Sequence, residues 1–149
     1  MTLAHRLHGS TFVVRILVVD DEPAIRALVA RIAQRAGFDV DVARDGAEAI
    51  EKLNAGTFEV VILDLMMPKV DGYGVVEHVR ATVGQHPAII LISAADSAAF
   101  RRVDGSIVHS IIRKPFDIDV LSDLIAAAAE SRATSDRENV LPFRKDEVC

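Results

Sequence analysis

The sequence predicts an α/β domain: a doubly wound, five-stranded parallel sheet with helices on both faces. Two observations support this fold class. Five short apolar runs alternate with segments of helical periodicity along the chain, the order that repeated strand–helix units produce. Two of the runs, VVIL and AIILI, are apolar throughout, which is typical of parallel strands buried on both sides. Right-handed crossovers between parallel strands then place helices on both faces of the sheet.

The first strand–helix unit is the most clearly marked. The apolar run at 13–19 predicts a strand, and Pro23 suits the first helical position, where the N–H that proline lacks would have no partner. Apolar residues three and four positions apart predict one buried helix face: Ile25, Leu28, Val29 and Ile32. Gly37 predicts the end of this helix after residue 36, because glycine readily adopts the left-handed conformation of a helix C-terminus.

The later elements continue the same alternation. Four more strands are predicted, of which the first is half-polar and is expected near a sheet edge: 38–43, 58–63, 88–92 and 107–112. Four more helices are predicted, the third of them short: 46–54, 72–81, 96–103 and 118–130. Residues 1–12 are interpreted as an N-terminal extension, 13–131 as one domain and 132–149 as a polar tail that we expect to be disordered.

Composition excludes several classes of protein. A net charge of -5 argues against a nucleic-acid-binding surface as the main function of the chain. The single cysteine, Cys149, cannot form a disulfide within the chain, which suits a reducing cytoplasm. No apolar run approaches the ~18 residues of a membrane-spanning helix, and the first ten residues lack the apolar core of a secretory signal. We therefore expect a cytoplasmic protein with no membrane insertion.

Polar residues stand where the predicted strands end. Asp20 and Asp21 follow the first strand, Asp64 the third, Ser93 the fourth and Lys114 the fifth. Because the carboxyl ends of parallel strands lie along one edge of the sheet, we expect these groups to converge. Clustered carboxylates repel one another, and a divalent cation that prefers oxygen ligands, Mg²⁺, would relieve the conflict. With a metal, an ammonium and a hydroxyl nearby, the central Asp64 is a candidate nucleophile toward a phosphoryl group.

Four sequence blocks resemble the receiver domain of bacterial two-component response regulators: ILVVDDEPAIR, VVILDLMMPKVDG, LISA and IIRKPF. The intervals also agree with that family, with 43 residues from Asp21 to Asp64, 29 from Asp64 to Ser93 and 21 from Ser93 to Lys114. The resemblance covers about residues 13–131 and implies a flavodoxin-like sheet with strand order 2-1-3-4-5. We expect a stand-alone receiver, similar to chemotaxis-type receivers, since the residues after 131 are too few for a helix-turn-helix domain.

The resemblance also implies a role for each site residue. Asp64 accepts a phosphoryl group from a histidine kinase or a histidine phosphotransfer protein, with Mg²⁺ as cofactor. The metal is bound directly by Asp21 and largely through water by Asp20, with Asp64 and the backbone carbonyl of Met66 as further ligands. Ser93 and Lys114 bind the phosphoryl oxygens. A cis peptide bond is expected before Pro115.

The family resemblance further implies a signalling receiver rather than an enzyme, with only self-catalysed phosphotransfer and slow autodephosphorylation. Its output would be contact with a downstream protein and not with DNA. The chain is expected to be a monomer or a weak dimer. One departure bears on the output: a tyrosine or phenylalanine usually stands three residues before the lysine, and here the position holds Ile111. An aliphatic side chain cannot reproduce the ring movement associated with that position.

Other interpretations of these residues remain open. Asp20 and Glu22 also suit the start of a helix, Ser93 the end of a strand, Lys114 a solvated loop, and both methionines of the LMM run the core. A haloacid-dehalogenase-type phosphatase would need an acid where Met66 stands. A nucleotide-binding flavodoxin-like protein would need phosphate-binding donors where DDEPA supplies acids. A phosphorylation-independent pseudo-receiver, acting as a protein-binding module, is the alternative that the sequence excludes least.

Overall fold

The structure, a computed structural model, describes residues 6–7, 10–11, 13–67, 69–94, 100–103 and 105–140, with side chains described between 13 and 132. A short antiparallel pair comes first, β1 (Arg6–Leu7) and β2 (Ser10–Thr11). Five longer strands follow: β3 (Arg15–Val19), β4 (Asp39–Ala43), β5 (Val60–Asp64), β6 (Ala88–Ser93) and β7 (Val108–Arg113). The helices with defined bounds are α1 (Pro23–Arg35), α2 (Gly46–Ala55), α3 (Gly72–Ala81) and α4 (Ile118–Val140).

The five longer strands form one parallel sheet in the order β4-β3-β5-β6-β7. Numbered along the sheet's own strands, this is the order 2-1-3-4-5, so the predicted fold class is confirmed. The central strand β5 is buried along its whole length, as its uninterrupted apolar run indicated. The edge strand β4 is only partly buried, which agrees with its half-polar sequence.

Helices cover both faces of the sheet. One face packs against α1 and α4 and includes Ile16, Ile62 and Ile90, all at most 2% exposed. The other face carries Leu63 and Leu91, both 0% exposed, and its core includes residues of α2 and α3. Alternate residues of each strand point to opposite faces, so a strand buried on both sides must be apolar at nearly every position. Each such side chain contributes about 1.5–3 kcal/mol to folding through burial.

Aspartate caps and a glycine mark the ends of three helices. Asp45 and Asp71 cap α2 and α3, their carboxylates accepting hydrogen bonds from the N–H groups of Glu48 and Gly74 at 2.8 and 3.1 Å. These contacts satisfy amide groups that have no partner within the helix. Gly37, with φ of 99°, follows α1 in the left-handed conformation predicted from the sequence.

Two parts of the sequence prediction differ from the structure. The tail was predicted to lose regular structure at 132, but α4 continues to Val140. The run AAAAESRATSDRENV holds no glycine or proline, so a helix begun by the packed residues Leu121 and Ile125 can propagate through it. The β1–β2 pair was not predicted, because two residues per strand are too few to show periodicity.

Some predictions fall wholly or partly outside the described residues. The short helix predicted at 96–103 is described only at its end, where residues 100 and 101 are helical. The end of the tail after Val140 and the loop residue Pro68 are also outside the described part. Among the described helices, none combines the length and the apolar character needed to cross a bilayer.

Candidate functional site

The polar residues predicted at the strand ends lie along one edge of the sheet. Asp64 is the last residue of β5, Ser93 the last of β6, and Asp20 and Lys114 directly follow β3 and β7. The parallel register aligns these ends, because Val19 pairs with Leu63 and Ser93 pairs with Arg113. Apolar strands therefore hold four polar side chains at defined positions along one edge.

Three carboxylates form the centre of the site. Asp20, Asp21 and Asp64 each offer an oxygen within 4.8 Å of the others, the one such cluster found among the described residues. Asp20 and Asp64 are buried at 3% and 4% exposure, so little water screens their charges. Burial accordingly raises the pKa of the Asp20 carboxyl, although hydrogen bonds from the Glu22 backbone and Lys114 oppose the change.

Lys114 is the cation of the site and makes three ion pairs. Its Nζ lies 2.8 Å from Glu22 Oε1, 3.1 Å from Asp20 Oδ2 and 3.3 Å from Asp64 Oδ2. Burial acts to lower the pKa of Lys114, but the carboxylates outweigh burial and the pKa is raised. The ammonium is therefore charged at neutral pH. The peptide bond between Lys114 and Pro115 is cis.

The loop after β5 begins at the central carboxylate. The Met66 N–H donates to Asp64 Oδ1 at 3.2 Å, and the Gly72 N–H donates to the Leu65 carbonyl at 2.8 Å. A Cβ on Gly72 would lie 2.5 Å from the Asp64 carbonyl oxygen, so only glycine fits where α3 meets the end of β5. The Met66 side chain is 58% exposed, whereas Met67 is a core residue at 9% exposure.

Ile111 lies on β7, three residues before Lys114, and it is 48% exposed. It lines a surface groove together with Phe100 and Val103. On the same strand, the Arg113 guanidinium lies 5.7 Å from the centre of the Phe100 ring. The groove thus lies between β7 and residues 100, 103 and 105.

The acidic cluster suits a hard divalent cation. Its ligands are carboxylate oxygens only, and neither histidine nor cysteine belongs to it. Oxygen ligands in small number, with water completing the coordination, favour Mg²⁺ over zinc. Met66 stands two residues after Asp64 in the loop that follows β5, and its role as a backbone carbonyl ligand stays a prediction.

A family model for the response regulator receiver domain matches residues 16–126 of this chain. The chain belongs to this family. Its relatives include the transcriptional regulatory protein TrcR of Mycobacterium tuberculosis, 40% identical over 119 residues, which are 78% of this chain and 45% of TrcR. The response regulator MprA of Mycobacterium avium is 33% identical over 129 residues, or 85% of this chain and 56% of MprA. This receiver thus spans about half the length of these curated relatives.

Solved structures agree with the receiver fold. A CheY-like receiver domain protein from Methanospirillum hungatei superposes with a TM-score of 0.75 at 21% identity, covering 83% of this chain and 99% of that one. The response regulator TrrA of Thermotoga maritima, solved in complex with Mg²⁺-BeF, gives a TM-score of 0.70 at 34% identity, covering 77% and 98%. The first similarity concerns the fold alone.

Two contacts of the receiver site were not predicted from the sequence. Glu22 was interpreted as a helix-start acid, but its side chain makes no capping hydrogen bond to α1 and instead contacts Lys114. Arg26 donates from Nη1 to the Asp20 backbone carbonyl at 2.9 Å. Arg26 and Asp20 are six positions apart, so this contact lies within one short segment and could have been considered from the sequence. Glu22 and Lys114 are 92 positions apart, and no local pattern indicates that they meet.

Proposed function

We propose that this receiver accepts a phosphoryl group on Asp64 from a histidine kinase or a histidine phosphotransfer protein, and that the change alters contact with a downstream protein. The observation that carries the proposal is the Lys114 ammonium, 3.3 Å from Asp64 Oδ2 and beside the Asp20–Asp21–Asp64 cluster. A carboxylate nucleophile, a cation aimed at it and an acidic metal site together suit phosphoryl transfer.

The chain's own residues account for most of the transfer step. An Asp64 oxygen attacks phosphorus, an O–P bond forms, and the P–N bond to the donor histidine breaks with its electron pair left on the imidazole. Lys114 and the Ser93 hydroxyl stabilise the charge on the phosphoryl oxygens. Mg²⁺, held by Asp20, Asp21, Asp64 and the Met66 carbonyl, supplies charge neutralisation when bound.

Several finer roles belong to the same proposal. The chain acts as a signalling receiver in the cytoplasm, not as an enzyme, and its own chemistry is limited to self-phosphorylation and slow dephosphorylation. The net charge of -5 supports a protein target over DNA. Signal output passes through the segment after Ser93 and β7, since Ile111 there cannot reproduce the movement of an aromatic ring.

The alternative, a phosphorylation-independent binding module, makes a different prediction for transfer. A phosphotransfer protein carrying labelled phosphohistidine is mixed with this receiver, and label on each protein is followed with time. If the receiver accepts the phosphoryl group on Asp64, label moves from the donor to the wild-type receiver. With Asp64→Asn, label stays on the donor. Complex formation without any transfer of label to wild type would favour the binding module and contradict the proposal.

A further inference from the structure

Glu22 makes the shortest ion pair of the site, although it lies outside the acidic cluster. Its Oε1 is 2.8 Å from Lys114 Nζ, against 3.1 Å for Asp20 and 3.3 Å for Asp64. An ammonium group has three N–H donors, and three carboxylates surround this one. Every donor of Lys114 therefore has an acidic partner among the described residues.

The start of α1 leaves the Glu22 carboxylate available for this contact. Glu22 occupies the N-cap position with extended backbone angles, φ of -90° and ψ of 113°, and its side chain does not cap the helix. Its N–H donates to Asp20 Oδ1 at 2.9 Å, which fixes the backbone against the site. Pro23 follows and has no N–H to offer. The side chain is thus directed across the edge of the sheet to Lys114.

The three carboxylates that contact Lys114 differ in whether they also belong to the candidate metal cluster. Asp20 and Asp64 belong to the candidate metal cluster, so their charges are shared with a cation whenever one is bound. Glu22 does not belong to it, and its charge stays available to Lys114. The lysine side chain is long and flexible. When Glu22 holds one donor of the Lys114 ammonium, the remaining donors stay on the side of Asp64.

We propose that Glu22 is a positioning residue that holds the Lys114 ammonium over Asp64. This inference rests on the proposed phosphoacceptor function. The Glu22 carboxylate is not part of the acidic cluster and acts through Lys114, while the contact of Glu22 with Asp20 is made by its backbone N–H. Both the charge of the Glu22 carboxylate and the length of its side chain matter. Glu22→Gln should therefore retain part of the positioning effect, and Glu22→Ala should lose it.

The first test uses protein without metal. The ammonium protons of Lys114 are observed by ¹H–¹⁵N NMR, and their signal is assigned by its loss in Lys114→Met. Because three carboxylates hold the ammonium, we expect a protected signal in wild type, a weaker one in Glu22→Gln and the weakest in Glu22→Ala. Glu51→Ala, which removes an exposed acid from α2, is the matched control and should keep the signal.

The second test measures affinity for beryllofluoride, a phosphoryl mimic, in saturating Mg²⁺. We expect Glu22→Ala to bind about fivefold more weakly, the factor equivalent to ~1 kcal/mol, with a smaller loss in Glu22→Gln and none in Glu51→Ala. Affinity for Mg²⁺ alone and the thermal midpoint should stay at wild-type values, since a merely structural role would change the midpoint.

The proposal requires both changes. A Glu22→Ala protein that keeps the ammonium signal at wild-type strength, or whose signal weakens while it binds beryllofluoride as wild type does, would overturn it. A wild-type protein that binds no beryllofluoride would contradict the proposed function instead. In that case the ammonium signals, recorded without metal, would still decide whether Glu22 holds Lys114.

Discussion

The backbone N–H of Lys114 donates to the carbonyl oxygen of Ser93 at 3.0 Å, which joins the ends of β6 and β7. Ser93 itself is 0% exposed. The two residues proposed to bind phosphoryl oxygens are thus connected through the main chain as well as through the site.

Ser93→Ala should weaken beryllofluoride binding about ten- to a hundredfold while leaving phosphorylation of Asp64 detectable. The hydroxyl would supply one charge-assisted hydrogen bond, worth about 1.5–3 kcal/mol, whereas Lys114 remains in place. Titration of the mimic by NMR measures the affinity. Ser110→Ala, on the next strand, is the control and should bind as wild type does. Equal affinity in wild type and Ser93→Ala would show that Ser93 is only a strand-end residue.

Asp21→Ala should reduce Mg²⁺ affinity of the unphosphorylated protein more than Asp20→Ala does. Both oxygens of Asp20 already have partners, the Glu22 N–H and Lys114, which suits a ligand acting through water. A ligand bound directly loses more when it is removed. Calorimetric titration with Mg²⁺ compares the three proteins. If neither substitution changed the affinity, the two acids would be structural rather than metal-binding.

Gly72→Ala should destabilise the fold by about 1–3 kcal/mol or more, because the new methyl group meets backbone that cannot easily move. Its Cβ would lie 2.5 Å from both the Asp64 carbonyl oxygen and Leu65 Cα. Gly105→Ala is the matched control, since a Cβ there meets nothing within 4 Å. Urea unfolding measures both. A Gly72→Ala protein as stable as the control would contradict the close contact between α3 and β5.

Stability should decline in acid partly through Asp41. The hydrogen bond from Lys52 Nζ, at 2.9 Å, lowers the pKa of the Asp41 carboxyl in the folded protein. A lowered pKa gives stability that is present above the unfolded value of about 3.9 and is lost as pH falls through the folded value. Because the Asp41 side chain is 39% exposed, we expect less than about 1 kcal/mol.

The measurement is the unfolding free energy of wild type and Asp41→Asn as a function of pH. The difference between them should be constant above about pH 5 and should shrink as the pH falls below the unfolded value of about 3.9. Asp123→Asn, an exposed change on α4, controls for loss of charge alone. A difference that grew in acid would contradict the assigned direction of the pKa change.

The sequence predicted those features of the fold that depend on local pattern. The bounds of α3, Gly72–Ala81, agree with the prediction. An aspartate cap marks the start of this helix, and the end of its apolar helical pattern marks the other end. The burial of β5 follows from its uninterrupted apolar residues. Strand order came from family resemblance rather than from pattern, since periodicity does not determine which strands are neighbours.

The site was predictable to the extent that its residues end strands. Asp20, Asp64 and Lys114 meet because parallel strands align their carboxyl ends. The Glu22–Lys114 contact was not predictable, because it depends on where the start of α1 lies relative to the residue that follows β7. The extent of α4 was missed for a different reason: weakly helical polar residues adopt helix only when a packed segment precedes them.

The central claim is that Asp64 accepts one phosphoryl group in a metal-dependent reaction, and the intact mass of the protein tests it most directly. Wild type, Asp64→Asn and the control Asp123→Asn are treated with acetyl phosphate and Mg²⁺, with parallel samples in EDTA. The account predicts a gain of one phosphoryl group in wild type and Asp123→Asn, and none in Asp64→Asn or in EDTA. A phosphoryl group retained by Asp64→Asn, or gained without Mg²⁺, would contradict it.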